Sequence, residues 1–495
     1  MKEVFRLAGD IVSQLDPIFK PRSVAVVGAS DDREKWGHAT FEKAHSTGFR
    51  GPVYPVNREQ ETVQGFRAYP SIKDVPDQVD LAVIVVPARF VPGVMRDCVE
   101  AGVRGAVVIS AGFAETGPEG RRLQQEIVQI ARDGGIRFVG PNCMGIFSSV
   151  SKINLAFGGM PPHGPIAFVS QSGTLGGYLF QAALTKGYGF SKFISSGNQA
   201  DLNVADYLEY LGQDPDTGGI VLYLEGVPEG RRFLEVAKRV TREKPVIVYK
   251  GGRTSVGMKA TMSHTGSLAG VDAIFEAVCR QAGILRGYEA MHPFDMVEAI
   301  ASQPLPAGPR VAIIINGGGH TVTMGDACAL AGLQVPDIDP ETQADLRKYL
   351  WPHAPDPVNP IDTAGDWRPM TISLLADRVA SLDYIDGLIV QPPWSSPGRY
   401  KNAELAKAAI NAAEIIANIP GKYGKPVITI SSRDGVSGMI GDILSGGKIP
   451  GYSTPEECAR AMYALVKYAE IRRRSQIEPR LTASMSGGNG KEENR

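Results

Sequence analysis

Short apolar runs recur along this chain without polar alternation, each followed by a small-residue turn and a stretch of helical period. Residues 23–28, 53–57, 81–86, 106–109 and 136–139 are such runs, and Pro87 stops the third. Helical periods fill 37–46, 91–101 and 121–131 between them. A strand that lacks alternation is covered on both faces, which is the condition of a parallel sheet. The pattern predicts a Rossmann-like domain over 1–150. After an irregular stretch at 154–164 the pattern resumes, with strands at 165–169, 220–224 and 245–249 and helices near 174–186, 201–211, 229–241 and 271–282. Gln303-Pro304-Leu305-Pro306-Ala307-Gly308-Pro309 cannot continue a helix and reads as a linker. Strands at 310–315, 387–390 and 426–430 follow, with helices near 321–331, 341–349, 401–417 and 455–473.

The expectation is an α/β chain of three consecutive doubly wound domains, 1–150, 151–303 and 304–475. Residues 1–19 read as a surface helix, and the polar, Gly-rich end, 476–495, reads as disordered.

Charge narrows the function classes. Lys plus Arg number 52 and Asp plus Glu 53, so nothing global attracts nucleic acid or an anionic membrane, and an anionic ligand must be held locally. The 57 glycines fall mostly at strand ends, as tight strand-to-helix turns require. The 5 cysteines are scattered with no Cys-x-x-Cys pair, which argues against a zinc site or a disulfide framework and fits a reducing cytoplasm. No apolar run approaches the ~18 residues of a membrane span.

Candidate chemistry sits at the strand ends. Val27-Gly28-Ala29-Ser30 carries part of a dinucleotide fingerprint, with the next glycine at Gly37; on spacing alone it is either a phosphate turn or a plain tight turn. Asn57-Arg58 stands where an NAD enzyme places an acidic ribose partner, so a ligand with an extra phosphate is favoured, with Lys35 and Arg58 as partners. Ser170-Gln171-Ser172-Gly173-Thr174 and Asn316-Gly317-Gly318-Gly319-His320 each put small residues at a helix N-terminus, where free N–H groups and the helix dipole favour an anion. Glu225 ends a strand, either to orient an imidazole or as a solvated carboxylate. His264, in Ser263-His264-Thr265-Gly266-Ser267-Leu268-Ala269-Gly270, is expected on a loop beyond the strand at 245–249, at the edge where open α/β sheets bind ligands. It is read as the carrier of a phosphoryl group. Cys143 has no evident base beside it and reads as a packed thiol.

Together these segments, with Ser110-Ala111-Gly112-Phe113 and Gly140-Pro141-Asn142-Cys143, resemble the nucleoside-diphosphate-forming acyl-CoA synthetases over residues 15–475. This is the superfamily of succinyl-CoA synthetase and ADP-forming acetyl-CoA synthetase. The resemblance implies a CoA-binding domain followed by two flavodoxin-like ligase domains. It implies His264 as the phosphohistidine and Glu225 as its partner. Gly28, Ala29, Ser30, Lys35, Gly37, Asn57, Val86, Pro87, Ser110, Ala111, Gly112 and Asn142 become candidate coenzyme A contacts. Ser170, Ser172, Gly173, Gly318 and Gly319 become phosphate contacts, and no metal ligand is implied on this chain.

The implied reaction interconverts carboxylic acid, CoA and ATP with acyl-CoA, ADP and phosphate. No ATP-grasp nucleotide domain is recognisable, so the resemblance implies an α-type subunit with a separate ATP-grasp β subunit, as an α2β2 heterotetramer, and Mg²⁺ arriving with ATP or ADP on that partner. Two departures bear on ligands. Asn57-Arg58-Glu59 replaces the Asn-Pro-Lys of acetate-type members, and Gly176-Gly177 replaces the Thr-Tyr of succinate-type α subunits, which disfavours succinate. The alternative is a non-catalytic CoA- or acyl-CoA-binding regulator on the same scaffold.

Overall fold

The computed structural model describes residues 10–156, 159–265, 271–392, 402–431 and 439–486, with the backbone alone at 262–265 and 476–486. The first sheet contains β1 (Val24–Val27), β2 (Val53–Val56), β5 (Leu81–Ile84), β6 (Gly105–Val108) and β7 (Arg137–Val139). A small hairpin, β3 (Thr62–Val63) and β4 (Phe66–Arg67), interrupts the series. The order is β2-β1-β5-β6-β7 and all pairs are parallel, with Val24 opposite both Val53 and Leu81. Helices α1 (Ile11–Phe19), α2 (Trp36–Ser46), α3 (Val91–Glu100) and α4 (Pro118–Asp133) accompany it. Every residue of β1, β5, β6 and β7 is buried, as the unalternating runs require.

The second sheet runs β14-β13-β12-β10-β11-β8-β9. Its strands are β8 (Ile146–Ser148), β9 (Ile153–Asn154), β10 (His163–Ser170), β11 (Phe190–Ser195), β12 (Gly219–Leu224), β13 (Val246–Lys250) and β14 (Leu285–Gly287). Its helices are α5 (Gly173–Thr185), α6 (Val204–Gln213), α7 (Gly230–Val240), α8 (Ser255–Thr265) and α9 (Asp272–Ala282). The third sheet, β16-β15-β17-β18-β19, is formed by β15 (Val311–Ile315), β16 (Ile361–Asp362), β17 (Gly387–Val390), β18 (Val427–Ile430) and β19 (Gly451–Tyr452). With it go α10 (His292–Ser302), α11 (Gly318–Leu330), α12 (Pro340–Leu346), α13 (Met370–Ala380), α14 (Ala403–Tyr423), α15 (Met439–Gly446) and α16 (Pro455–Ser486). In each sheet the parallel strands wind in one order: the second beside the first, and the third, fourth and fifth on its other side. That order makes a switch point between the first and third strands, and ligands bind there at the carboxyl edge.

The chain divides into two compact units, Met1–Pro293 and Phe294–Arg495. Helix α10 joins the second: the Tyr452 hydroxyl donates to the Asp295 carbonyl at 2.8 Å, and Gln303 Nε2 to the Lys448 carbonyl at 2.7 Å.

Several local expectations are corrected. Residues 1–9 lie outside the described chain, but α1 is not a surface helix: Leu15, Ile18 and Phe19 are fully buried, and Phe19 stacks on Tyr210 at 4.9 Å. The stretch around 154 is not wholly irregular, because β8 pairs antiparallel with β11, and β9, ending at Asn154, pairs antiparallel with β8. The sequence pattern missed β11, since Lys192 interrupts its apolar run; the ammonium is fully buried and paired with Asp214 Oδ2 at 2.5 Å. Helix α16 continues to Ser486, past the point where disorder was expected, and 487–495 lie outside the described residues. No described helix is long and apolar enough to cross a membrane.

Candidate active site

At the end of β1 the chain turns through Gly28 with φ +96°, and a Cβ there would stand 2.6 Å from the Val85 carbonyl oxygen. A Cβ on Gly37, at the start of α2, would stand 1.9 Å from the Gly28 oxygen. The two glycines therefore let α2 rest directly on the turn. Ala29 is fully buried under it. Ser30 Oγ accepts from the Asp32 amide at 3.1 Å. Lys35 precedes α2 with an exposed ammonium 3.5 Å from the Asp32 carboxylate. Asn57 braces the neighbouring loop: Nδ2 donates to the Ala29 carbonyl at 2.7 Å, and Oδ1 accepts from the amides of Glu59 and Gln60 at 2.8 and 3.1 Å.

A cavity of about 370 Å³ opens at the switch point between β1 and β5, walled by Gly28, Asn57, Val86 and Pro87 among others. A cleft of about 790 Å³ adjoins it, lined by Arg89, Gly112 and Arg122, and Arg58 and Phe90 line both. Phe90 is 45% exposed, with the Arg89 guanidinium 4.6 Å from its ring centroid. An apolar slot joined to an arginine-lined cleft suits a ligand with a flat ring at one end and phosphates beside it. Ser110 Oγ donates to the Val86 carbonyl at 2.5 Å and ties the two loops together. Ala111 is exposed. Gly112 has φ +107°, and its amide donates to Glu115 Oε1 at 2.7 Å, so what it offers a ligand is the space left by its missing side chain. Ala29, Ser30, Lys35, Gly37, Ser110, Ala111 and Asn142 line neither space. Asn142, at φ +58°, donates instead to Asn198 Oδ1 at 3.3 Å. Cys143 is buried with its thiol toward the Val108 carbonyl, and burial pushes its pKa up to about 12, which leaves it an inert packed thiol.

The second sheet's switch point lies between β10 and β12. Ser170 is fully buried, and its Oγ donates to the Ser172 carbonyl at 2.6 Å. Ser172 caps α5 by accepting from the Leu175 amide at 3.3 Å, which leaves the first-turn amides of Gly173 and Thr174 outside the helix's own ladder. At Gly176 a Cβ would meet Ser170 Oγ at 2.5 Å, so the glycine seats the helix against the strand end. Across the switch point, Gln171 Oε1 accepts from the Glu225 amide at 2.7 Å. Glu225 is 8% exposed, and its Oε1 accepts from the Tyr223 hydroxyl at 3.3 Å. Burial, and then the adjacent Glu225 carboxylate, raises the Tyr223 phenol's pKa. At the end of β13, Lys250 donates to the carbonyls of Glu225 and Gly251, and burial lowers its pKa.

The segment after β13 is not a loop as far as Thr265. Helix α8 occupies Ser255–Thr265, started by Thr254 Oγ1 accepting from the Gly257 amide at 3.1 Å and built from helix-tolerant Met, Lys and Ala. His264 falls in its last turn, its side chain outside the described residues, as is all of 266–270. The expected Glu225–His264 pair is therefore not among the described contacts. In the third sheet, Gly317 turns with φ +107° and donates to Asp362 Oδ1 at 2.9 Å, and Gly318 and Gly319 open α11 in exposed positions.

Sequence reasoning did not single out Gln171, Tyr223, Lys250, Arg89, Phe90 or Glu115. Gln171 and Lys250 carried a usable signal, a polar residue at or just past a buried strand's carboxyl end, and Tyr223 is the penultimate residue of such a strand. The others lie in short turns whose partners are set only by folding.

Comparison with known proteins bears on both halves of this site. A family model described as a CoA binding domain matches residues 22–149, and one described as a succinyl-CoA ligase like flavodoxin domain matches 163–300. The α subunit of ADP-forming acetate–CoA ligase II from Pyrococcus furiosus is 42% identical over 459 residues, 92% of this chain and 98% of that protein. The ADP-forming 4-hydroxybutyrate–CoA ligase of Nitrosopumilus maritimus is 35% identical over 464 residues, 92% of this chain and 64% of that protein. The solved structure of acetyl-coenzyme A synthetase 1 from Ca. Korarchaeum cryptofilum, in complex with phosphate and ADP, superposes with a TM-score of 0.81 at 36% identity, covering 94% of this chain and 98% of that one. The chain belongs to the nucleoside-diphosphate-forming acyl-CoA synthetases, among the α subunits of that family.

Proposed function

We propose that this chain is the α subunit of an ADP-forming acyl-CoA synthetase that works through a phosphohistidine at His264. The observation that carries the reading is the second sheet's carboxyl rim. Successive parallel strands stand about 4.8 Å apart, so β10, β12 and β13 end side by side, leading into the start of α5, Glu225 and α8, whose last turn bears His264.

Starting from acyl-CoA, a phosphate oxygen attacks the thioester carbonyl, the C–S bond breaks, and the CoA thiolate leaves and takes a proton. His264 then attacks the phosphorus of the acyl phosphate. The bond to the acyl oxygen breaks and a carboxylate leaves. ADP attacks the phosphohistidine, the P–N bond breaks, and ATP forms. The amides that open α5, and separately those that open α11 in the other unit, are the groups here that balance charge on a transferring phosphoryl. The slot and arginine-lined cleft of the first sheet take the nucleotide end of CoA. An ATP-grasp β subunit, assembling as α2β2, supplies the ADP site with its Mg²⁺. The acid is small, and the glycines at 176 and 177 disfavour succinate.

The test is His264→Ala, assayed with the partner subunit. The expected result is loss of acyl-CoA formation from acid, ATP and CoA, and of acid-labile ³²P on the chain. A variant that keeps the overall reaction sinks the phosphohistidine.

A further inference from the structure

Glu115 belongs to no motif in the sequence. It sits in a single 3-10 turn, Ala114–Thr116, directly behind the 110–113 loop. Its Oε1 accepts from the amides of Gly112 and Phe113 at 2.7 and 3.1 Å. Its Oε2 accepts from Asn198 Nδ2 at 2.6 Å. That Nδ2 also donates to Gln124 Oε1 at 3.0 Å, while Asn198 Oδ1 accepts from Asn142 Nδ2 at 3.3 Å. Asn198 lies in the turn after β11, where the Ser196 amide donates to the Ser170 carbonyl at 2.8 Å. From Ser170 the network passes to Ser172, the cap of α5. Linked hydrogen-bonded turns thus run, within one compact unit, from the loop beside the cleft to the start of α5.

Two features set Glu115 apart from a surface carboxylate. It lines neither cavity, and so does not place its charge against a ligand's phosphates. Burial raises its pKa, but the hydrogen bonds from Asn198, Gly112 and Phe113 together outweigh burial and lower it, which keeps the clamp ionised. We propose that Glu115 is a positioning residue. Its carboxylate holds the 110–113 loop in the shape that receives CoA and fastens that loop, through Asn198, to the turn that supports α5. This rests on the CoA reading above.

The polarity of the contact allows a swap. Glu115→Gln keeps an acceptor for the two loop amides but turns an NH₂ group toward the Asn198 donor. Asn198→Asp sets two carboxylates against each other. The double variant restores one donor and one acceptor in reverse, and the carboxylate introduced at position 198 still accepts from Asn142.

Calorimetric titration of the full chain with CoA should show each single variant weakened roughly tenfold, about 1.4 kcal/mol, and the double variant binding tighter than either single, short of wild type because the Asn198 donation to Gln124 is lost. Asn198→Ala, which removes the contact without new charge, should weaken CoA in the same direction. With the partner subunit, the KM for CoA should rise while kcat holds. A merely structural role would lower melting temperatures without that KM-only change or the rescue. Unchanged CoA affinity in the single variants, or a double variant as weak as the two losses added, overturns the clamp. Absence of CoA binding by the wild-type chain would instead overturn the CoA reading itself.

Discussion

β1 and β15 hold the same place in sheets of the same winding, and each is followed by a glycine in the left-handed range, Gly28 at +96° and Gly317 at +107°. Both strands also begin with one staple. Arg22 grips Asp80 through its backbone amide, Nε and Nη2 at 2.9, 2.8 and 3.0 Å, and Arg310 grips Asp386 through the same three groups at 3.0, 2.8 and 2.7 Å. The resemblance stops at the turn. Around Gly28 the space is filled by the Val85 carbonyl and by α2, whereas among the described residues nothing lies within 4 Å of a Cβ placed on Gly317 or Gly319, and one on Gly318 meets only Asp362 Oδ2 at 3.4 Å. Two turns that read alike in sequence are glycine-rich for different reasons. One admits a neighbouring backbone, and the other is uncrowded among the described residues.

The largest effect expected from this contrast is at Gly37. An alanine there would put its Cβ 1.9 Å from a backbone oxygen that cannot swing away. Helix α2 must lift, at a cost of about 3 kcal/mol or more. Gly28→Ala adds left-handed strain to a similar clash. Both should lower the melting temperature of the first unit and abolish CoA binding together. If Gly37→Ala melts with wild type, the turn is not packed as described, and the contrast between the two regions collapses.

The staples should separate by a smaller margin. Asp80 also accepts from Arg104 at 2.6 Å, while Asp386 has only Arg310 as a side-chain hydrogen-bond partner among the described residues. The Arg22 hydrogen bond first, with Arg104 adding, holds the Asp80 carboxyl well below its usual range despite burial. At Asp386 burial opposes the shift, and the Arg310 contacts still lower it. A depressed folded pKa contributes stability above the unfolded value, about 3.9, and that stability is lost as pH falls through the folded value. Asp80→Asn should therefore lower the melting temperature more than Asp386→Asn at pH 7. Both deficits should shrink as the wild type is titrated below about pH 4. Deficits that are equal, or that do not change with pH, would show that the staples are not held by charge.

What could be read in advance follows from the physics of each part. Both-face burial leaves an unbroken apolar run, so β1, β5, β12, β15 and β17 announced themselves and the fold class followed. β11 did not, because its buried Lys192 is neutralised by Asp214, a partner outside the strand. The small-residue loops were legible as loops, but not as open or filled, since that depends on what the sheet places opposite them. The sequence offers Asn57 and Asn142 alike as ligand contacts; Asn57 walls the slot while its amide braces the loop beside it, whereas Asn142 lines neither space and bonds to Asn198. Glu115 was invisible, because its function depends on amides two and three residues back and on Asn198, which folding brings from the next sheet.

The smallest change sharpens the comparison furthest. Gly319 lies in the first turn of α11 with an ordinary φ, and no described residue lies within 4 Å of a Cβ placed on it. Alanine there removes backbone freedom from the unfolded chain and improves helix propensity, so Gly319→Ala should leave stability unchanged or raise it by up to about 1 kcal/mol. The methyl group also stands over the amides that would face phosphate. The KM for phosphate, measured in the direction that makes ATP with the partner subunit present, should therefore rise several-fold. A glycine whose replacement stabilises the fold and impairs one substrate is kept for that substrate. If Gly319→Ala leaves the KM for phosphate where it was, α11 is not a phosphate helix, and its glycines mark only an uncrowded turn.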